Sequence, residues 1–150
     1  MASPTITIPT EVHTLLEFRQ RELPGFATIN TALAMFASRA IFPWQLSVLV
    51  CCDDLMDHRL PSADEQKVLY AFEDQLASLI TAKANALFLA RVTHDARREI
   101  IWRVRDPEAP NLALREILAG KSYPREFDYR IDDDPEWLKA EWYLAGRRPN

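Results

Sequence analysis

Glycine is scarce in this chain, at three in 150 residues, and none of the three sits in a strand-turn-helix pattern. That excludes glycine-rich phosphate loops and a glycine-flanked nucleophile elbow, because both need backbone that only glycine supplies at fixed spacing. Cysteine is nearly absent too. Cys51 and Cys52 are adjacent, neighbouring cysteines bridge each other only with severe strain, and no third exists. They read as reduced residues of a strand in a cytoplasmic protein. Positive charge is in deficit, with a net charge of -4, which argues against phosphate-backbone binding and so against a nucleic-acid partner. No apolar run approaches the roughly 20 residues of a membrane span. The opening MASPTITIPTEVH lacks the basic region and long apolar run of a signal peptide. A soluble chain with no membrane partner is the expectation. Lysine is rare against arginine, four to fourteen. Arginine suits carboxylate pairing and protein interfaces, although a general preference for arginine codons gives the same bias.

What is present fits one domain. The hydrophobic fraction of 48% and charged fraction of 27% are those of an ordinary globule long enough to bury a core. The clearest unit is residues 86–106, a β-hairpin of ALFLARVT, an HDA turn and RREIIWRVRD. Strict alternation puts Phe88, Ala90 and Val92 with Ile100, Trp102 and Val104 on one face, and Leu87, Leu89 and Arg91 on the other. An apolar ribbon of this kind needs other elements to cover it. Upstream, Trp44, Leu46, Val48, Val50 and Cys52 alternate as a strand, followed by a polar loop over residues 53–61. Ser62 and Glu65 form a capping box for a helix whose stripe is Val68, Leu69, Phe72, Leu76, Leu79 and Ile80. Downstream, Pro107 opens a shorter helix that Gly120 ends. Phe127, Tyr129 and Ile131 then mark a strand, and residues 135–145 a last helix with Trp137 and Trp142.

The N-terminal part is harder to read. Residues 1–9 are a tail or a short edge strand. Val12, Leu15, Leu16, Arg19 and Leu23 recur at helical spacing after Thr10 until Pro24-Gly25, with a strand over residues 13–19 as the competing reading. Residues 26–35 are a strand or a short helix. From Trp44 to Asp132 the order is β-α-β-β-α-β. It predicts an α+β, ferredoxin-like fold: a four-stranded antiparallel sheet with both helices on one face. The domain then divides into an N-terminal extension (1–41), the core (42–134) and a C-terminal helix and tail (135–150). The opposite sheet face is expected open and charged, carrying Gln45, Ser47, Arg91, Glu99, Arg103, Arg105, Glu126, Asp128 and Arg130.

Several motifs carry a resemblance: FPW at 42–44, LPSADE at 60–65, RVTHDARREIIWRV at 91–104 and FDYRIDDDPEW at 127–137. In this order they resemble a bacterial domain-of-unknown-function family, number 695, over about two-thirds of the chain. The resemblance implies kinship with the regulator of ribonuclease E activity B, a ferredoxin-like protein that binds and inhibits a nuclease. The family has no established catalytic residues, so none is carried over.

Candidate chemistry is sparse. His94 with Asp95 is the most site-like pair, a base with an orienting carboxylate; turn geometry accounts for Asp95 as well. Asp53, Asp54, Asp57 and His58 are a conceivable cation loop, but lack the ligand density and turn glycine of a calcium loop. Asp132, Asp133 and Asp134 with Glu136 complement a helix start, and also offer acidic ends to a basic partner. Trp137, Leu138, Trp142 and Tyr143 crowd the last helix, as packing over the sheet edge or as an anchor for a partner or a homodimer. No cofactor is implied. The expected function is a non-catalytic protein-binding module: an inhibitor, regulator or immunity-type antidote docking to a partner such as a nuclease or toxin. Its contacts would be Asp53, Asp54, Asp57, Arg103, Arg105, Arg130, Asp132, Asp133 and Asp134. The alternative is a small enzyme or ligand-binding domain using the open sheet face around His94, Arg91 and Arg103.

Overall fold

A computed structural model describes residues 6–145. The strands are β1 (His13–Gln20), β2 (Leu23–Asn30), β3 (Trp44–Cys51), the short pair β4 (Leu55–Met56) and β5 (Leu60–Pro61), β6 (Ala86–His94), β7 (Arg97–Val104) and β8 (Phe127–Asp133). The helices are α1 (Ala63–Ile80), α2 (Glu108–Gly120) and α3 (Leu138–Leu144). Six strands form one antiparallel sheet in the order β1-β2-β6-β7-β3-β8, so the fold is α+β with an open sheet. No described helix is long and apolar enough to cross a membrane.

The hairpin, α1, α2 and β8 form where hydrophobic period and caps place them. Ser62 Oγ accepts from Glu65 N at 3.1 Å and starts α1, although Glu65 does not reach back to complete the box. Leu69, Phe72 and Leu76 of α1 and Leu114 and Ile117 of α2 pack on Leu46, Val48, Ile100 and Trp102 in one buried cluster. Both helices therefore lie on one face.

The sheet is wider than the expected four strands. The helix expected after Thr10 is instead the β1–β2 hairpin. Alternation of Leu16 and Phe18 toward the interior, and pairing of β2 with β6, prevail over helical spacing that has nothing to pack against. Its turn, Arg21-Glu22, has φ of 53° and 66°, left-handed values filled without glycine. Pro24-Gly25, expected as a stop, lies inside β2. The Phe18 ring covers Gly25 so closely that an added Cβ would sit 2.3 Å from Phe18 Cζ. Of the expected tail over residues 1–9, residues 1–5 fall outside the described residues, as do residues 146–150.

The second face is not open. Leu33 and Phe36, in the short 3-10 turn and link after β2, together with Phe42, Trp137 and Ala140, cover Ile29, Leu89 and Ile101 in a second buried cluster. A β-bulge in β6 rearranges this face further, since the register against β7 shifts between Phe88 and Ala90. Leu89 and Ala90 consequently both face the second core, while Arg91 turns to the α1 side opposite Ile100. Arg91 is thus not on the face that plain alternation assigns.

Candidate functional site

The residues expected at a partner surface separate into three groups. Asp53, Asp54 and Asp57 are exposed in the loop after β3. Asp53 is 3.4 Å from Arg125, and Asp54 accepts the Ser62 hydroxyl at 2.5 Å. Asp132 and Asp133 pair with Gln45 and Trp44, at the other end of β3. The two acidic clusters do not share a surface. Arg105 is exposed beyond the end of β7, and Arg130 on β8 pairs with Asp132 at 2.8 Å.

Arg103 and Asp134, expected at the partner surface, are instead buried and unavailable to a partner. Arg103 has no exposed surface. Its Nη1 donates to Asp134 Oδ2 at 2.9 Å and Gln45 Oε1 at 3.1 Å, and its Nη2 donates to the carbonyls of Asp134 and Phe42. The Trp137 indole lies over the guanidinium at 4.5 Å. Asp134 also accepts the backbone N–H groups of Leu138 and Lys139 at 3.1 and 3.0 Å. It thereby holds the start of α3, where four N–H groups would otherwise lack acceptors. A strand arginine followed 31 residues later by an aspartate gives no local signal of such a pair.

The group around His94, Arg91 and Arg103 does not assemble. Arg91 is held by Glu73 of α1 at 2.7 and 2.5 Å, Arg103 lies on the opposite face, and His94 is at the hairpin tip. His94 Nε2 donates to the Gln20 carbonyl at 2.8 Å and its ring stacks on Phe18. Asp95 is hydrogen-bonded to Arg59, which lowers its carboxyl pKa. Both members of the expected pair are thus engaged in holding the turn. Among the described residues no group of three or more His, Cys, Asp or Glu side chains is placed to hold a metal ion.

Sequence reasoning missed two polar arrangements. Glu65, taken for a capping residue, is buried and receives Arg125 in a two-pronged contact at 2.7 and 2.6 Å, plus the Asp53 N–H at 2.7 Å. The Arg125 hydrogen bonds outweigh burial and hold its carboxyl down to about 2. Arg98, which alternation puts on the face of Ile100 and Trp102 and to which sequence reasoning assigned no role, is buried on the α1 side. Nearby, burial pushes the Cys52 thiol up to about 11, so it stays protonated.

The aromatic last helix divides its residues. Trp137 turns inward from a left-handed backbone position (φ 60°), its Nε1 donating to the carbonyls of Arg39 and Phe42. Tyr143 packs on the second core. Leu138 and Trp142 are left in water, 69% and 37% exposed. They flank a shallow groove of about 500 Å³ with Gln45, Glu99, Arg130 and Lys139.

Neither the curated proteins nor the solved structures contain a match to this chain. Its residues 21–144, from the turn of the N-terminal hairpin to the end of α3, match the model described as "Family of unknown function (DUF695)", and the chain belongs to that family.

Proposed function

We propose that the protein is a non-catalytic binding module, an inhibitor, regulator or immunity-type antidote that docks onto a basic partner protein, such as a nuclease or toxin, through the β8–α3 end of the sheet. The observation that carries this reading is the exposed pair Leu138 and Trp142 beside the groove with Arg130. Tryptophan and arginine are the residues most enriched where binding energy concentrates, and a charged rim around an apolar centre is the ordinary anatomy of an interface. Asp132, 2.8 Å from Arg130 and 3.8 Å from Lys139, stands at that rim, and the chain's negative charge favours a basic target. The strand order β6-β7-β3-β8, with α1 and α2 on one face, supports reading this part as a ferredoxin-like unit. That in turn is compatible with kinship to the regulator of ribonuclease E activity B, which is part of the same proposal.

The test begins with capture of a partner by the intact chain and continues with purified components. Trp142→Ala should weaken the reconstituted complex at least ten-fold, mainly by faster dissociation. Reversing Asp132 and Asp133 to lysine should slow association, most at low salt. A partner that binds both variants like the wild type overturns this surface. An activity that survives both variants and disappears on replacing His94 with alanine overturns the non-catalytic reading.

A further inference from the structure

On the α1 side of the sheet, a cavity of about 290 Å³ opens between β1–β2, the β4–β5 pair and α1. Leu15, Phe26, Met56, Leu60 and Pro61 give it an apolar wall, and Gln66, Tyr70, Arg91, Thr93 and Arg98 a polar one. Two arginines line it and no carboxylate does. Arg91 is neutralised from behind by Glu73. Arg98 is not neutralised: only 2% of it is exposed, and its partners are the uncharged Thr93 Oγ1 at 3.0 Å and Gln66 Oε1 at 2.6 Å. Its Nη1 is buried with no acceptor at all. The Tyr70 ring, 44% exposed, lies over both guanidinium groups at 5.1 and 4.9 Å.

A buried cation without a counter-charge is costly, and an unmade hydrogen bond to it more so. Folded proteins tolerate that arrangement where a ligand completes it, in a concave and mostly apolar site with a few convergent polar groups. We propose that this cavity binds a small molecule with one carboxylate and a short apolar body. The carboxylate pairs with Arg98, and the body lies along Leu15, Phe26 and Leu60. One unmatched positive charge calls for one negative charge. The planar fork of a guanidinium matches the two oxygens of a carboxylate. A phosphate dianion would leave half its charge unmet, because Arg91 is already committed to Glu73. Tyr70 is the side chain that must swing to admit the ligand to Nη1. This site lies on the sheet face opposite the second core that α3 covers, so it is independent of the docking reading.

Benzoate and hexanoate are the probes, with benzyl alcohol as the uncharged counterpart and inorganic phosphate as the rival anion. Calorimetric titration of the full chain should show saturable binding of at least one carboxylate, ten-fold or more tighter than benzyl alcohol or phosphate. Amide resonances of Gln66, Tyr70 and Thr93 should shift with the same saturation curve. Arg98→Met should abolish binding, and Thr28→Phe, which enlarges a lining residue of β2 into the cavity, should weaken it at least ten-fold. If Arg98→Met does not fold, the Thr28→Phe result and the Arg98 Nε–H resonance of the wild type decide. Absence of saturable binding, equal affinity for benzyl alcohol, tighter binding of phosphate, or shifts confined to another surface would each overturn the proposal.

Discussion

Arg98 and Arg103 lie on the same strand, and their odd spacing sends them to opposite faces of the sheet. Both are removed from water. Arg103 meets a carboxylate, a side-chain amide and two backbone carbonyls beneath an indole, whereas Arg98 meets a hydroxyl and an amide beneath a phenol ring. Burial alone therefore does not distinguish a structural cation from one available to a ligand. The counter-charge does. With Asp134 in place, Arg103 joins β7, the residues before β3 and α3 into one unit, and its charge is met, although its Nε, like Nη1 of Arg98, is buried without an acceptor. Arg98 keeps its charge unspent.

The largest effect should come from breaking the charge-paired side. Asp134→Ala leaves Arg103 buried and unpaired and strips two N–H groups of α3 of their acceptor. It should cost about 3–5 kcal/mol in denaturant unfolding. Arg98→Met, similar in length and free of charge, should change stability by less than about 1 kcal/mol in either direction, because it also removes an unsatisfied N–H. Equal losses for the two variants would erase the distinction between the faces.

A second test uses acid. Glu65 is a buried carboxylate whose folded value, about 2, lies below its ordinary 4.5. A lowered value means that its contribution is complete above pH 4.5 and is lost as pH falls from there toward 2, since the unfolded chain takes up the proton first. The loss should amount to roughly 3 kcal/mol. Glu65→Gln should flatten the stability curve in that window, and an unchanged slope would show that the Arg125 contact contributes nothing.

The smallest effect is a gain. The turn joining β6 to β7 places Asp95 and Ala96 at φ of 49° and 63°. Ala96→Gly should relieve the left-handed strain and raise stability by about 0.5–1 kcal/mol in thermal melting. Because it touches neither arginine, it should leave their contrast as it was.

The parts of the fold that sequence made legible are those whose period has a single meaning. The 86–106 hairpin, α1, α2 and β8 carry apolar residues at spacings that only one element satisfies. The N-terminal hairpin was obscured because Leu15, Leu16 and Leu23 fit a helix as well as a strand, and its turn uses Arg21 and Glu22 in place of asparagine and glycine. The covered second face was obscured because its cover comes from irregular chain at residues 31–42 and from Trp137, which has no periodicity to announce it. Of the candidate site, the exposure of Trp142 and Arg130 was within reach of sequence. The burial of Arg103 and Asp134 was not, because it depends on a pairing between distant segments.

The bulge at Leu89 has a bearing on how this family can change its length. Loss of one residue from a central strand ordinarily inverts everything beyond it, exchanging inside for outside. Here Leu89 and Ala90 already share a face, so deleting Leu89 restores plain alternation with Phe88 still toward α1, Ala90 still away from it, and Arg91 still opposite Ile100. A relative one residue shorter at this point would keep every partner of Arg91, Thr93 and Arg98 and lose only one apolar side chain from the second core. Strand β6 is thus a place where a deletion is less disruptive than an insertion, the reverse of what a buried central strand normally allows.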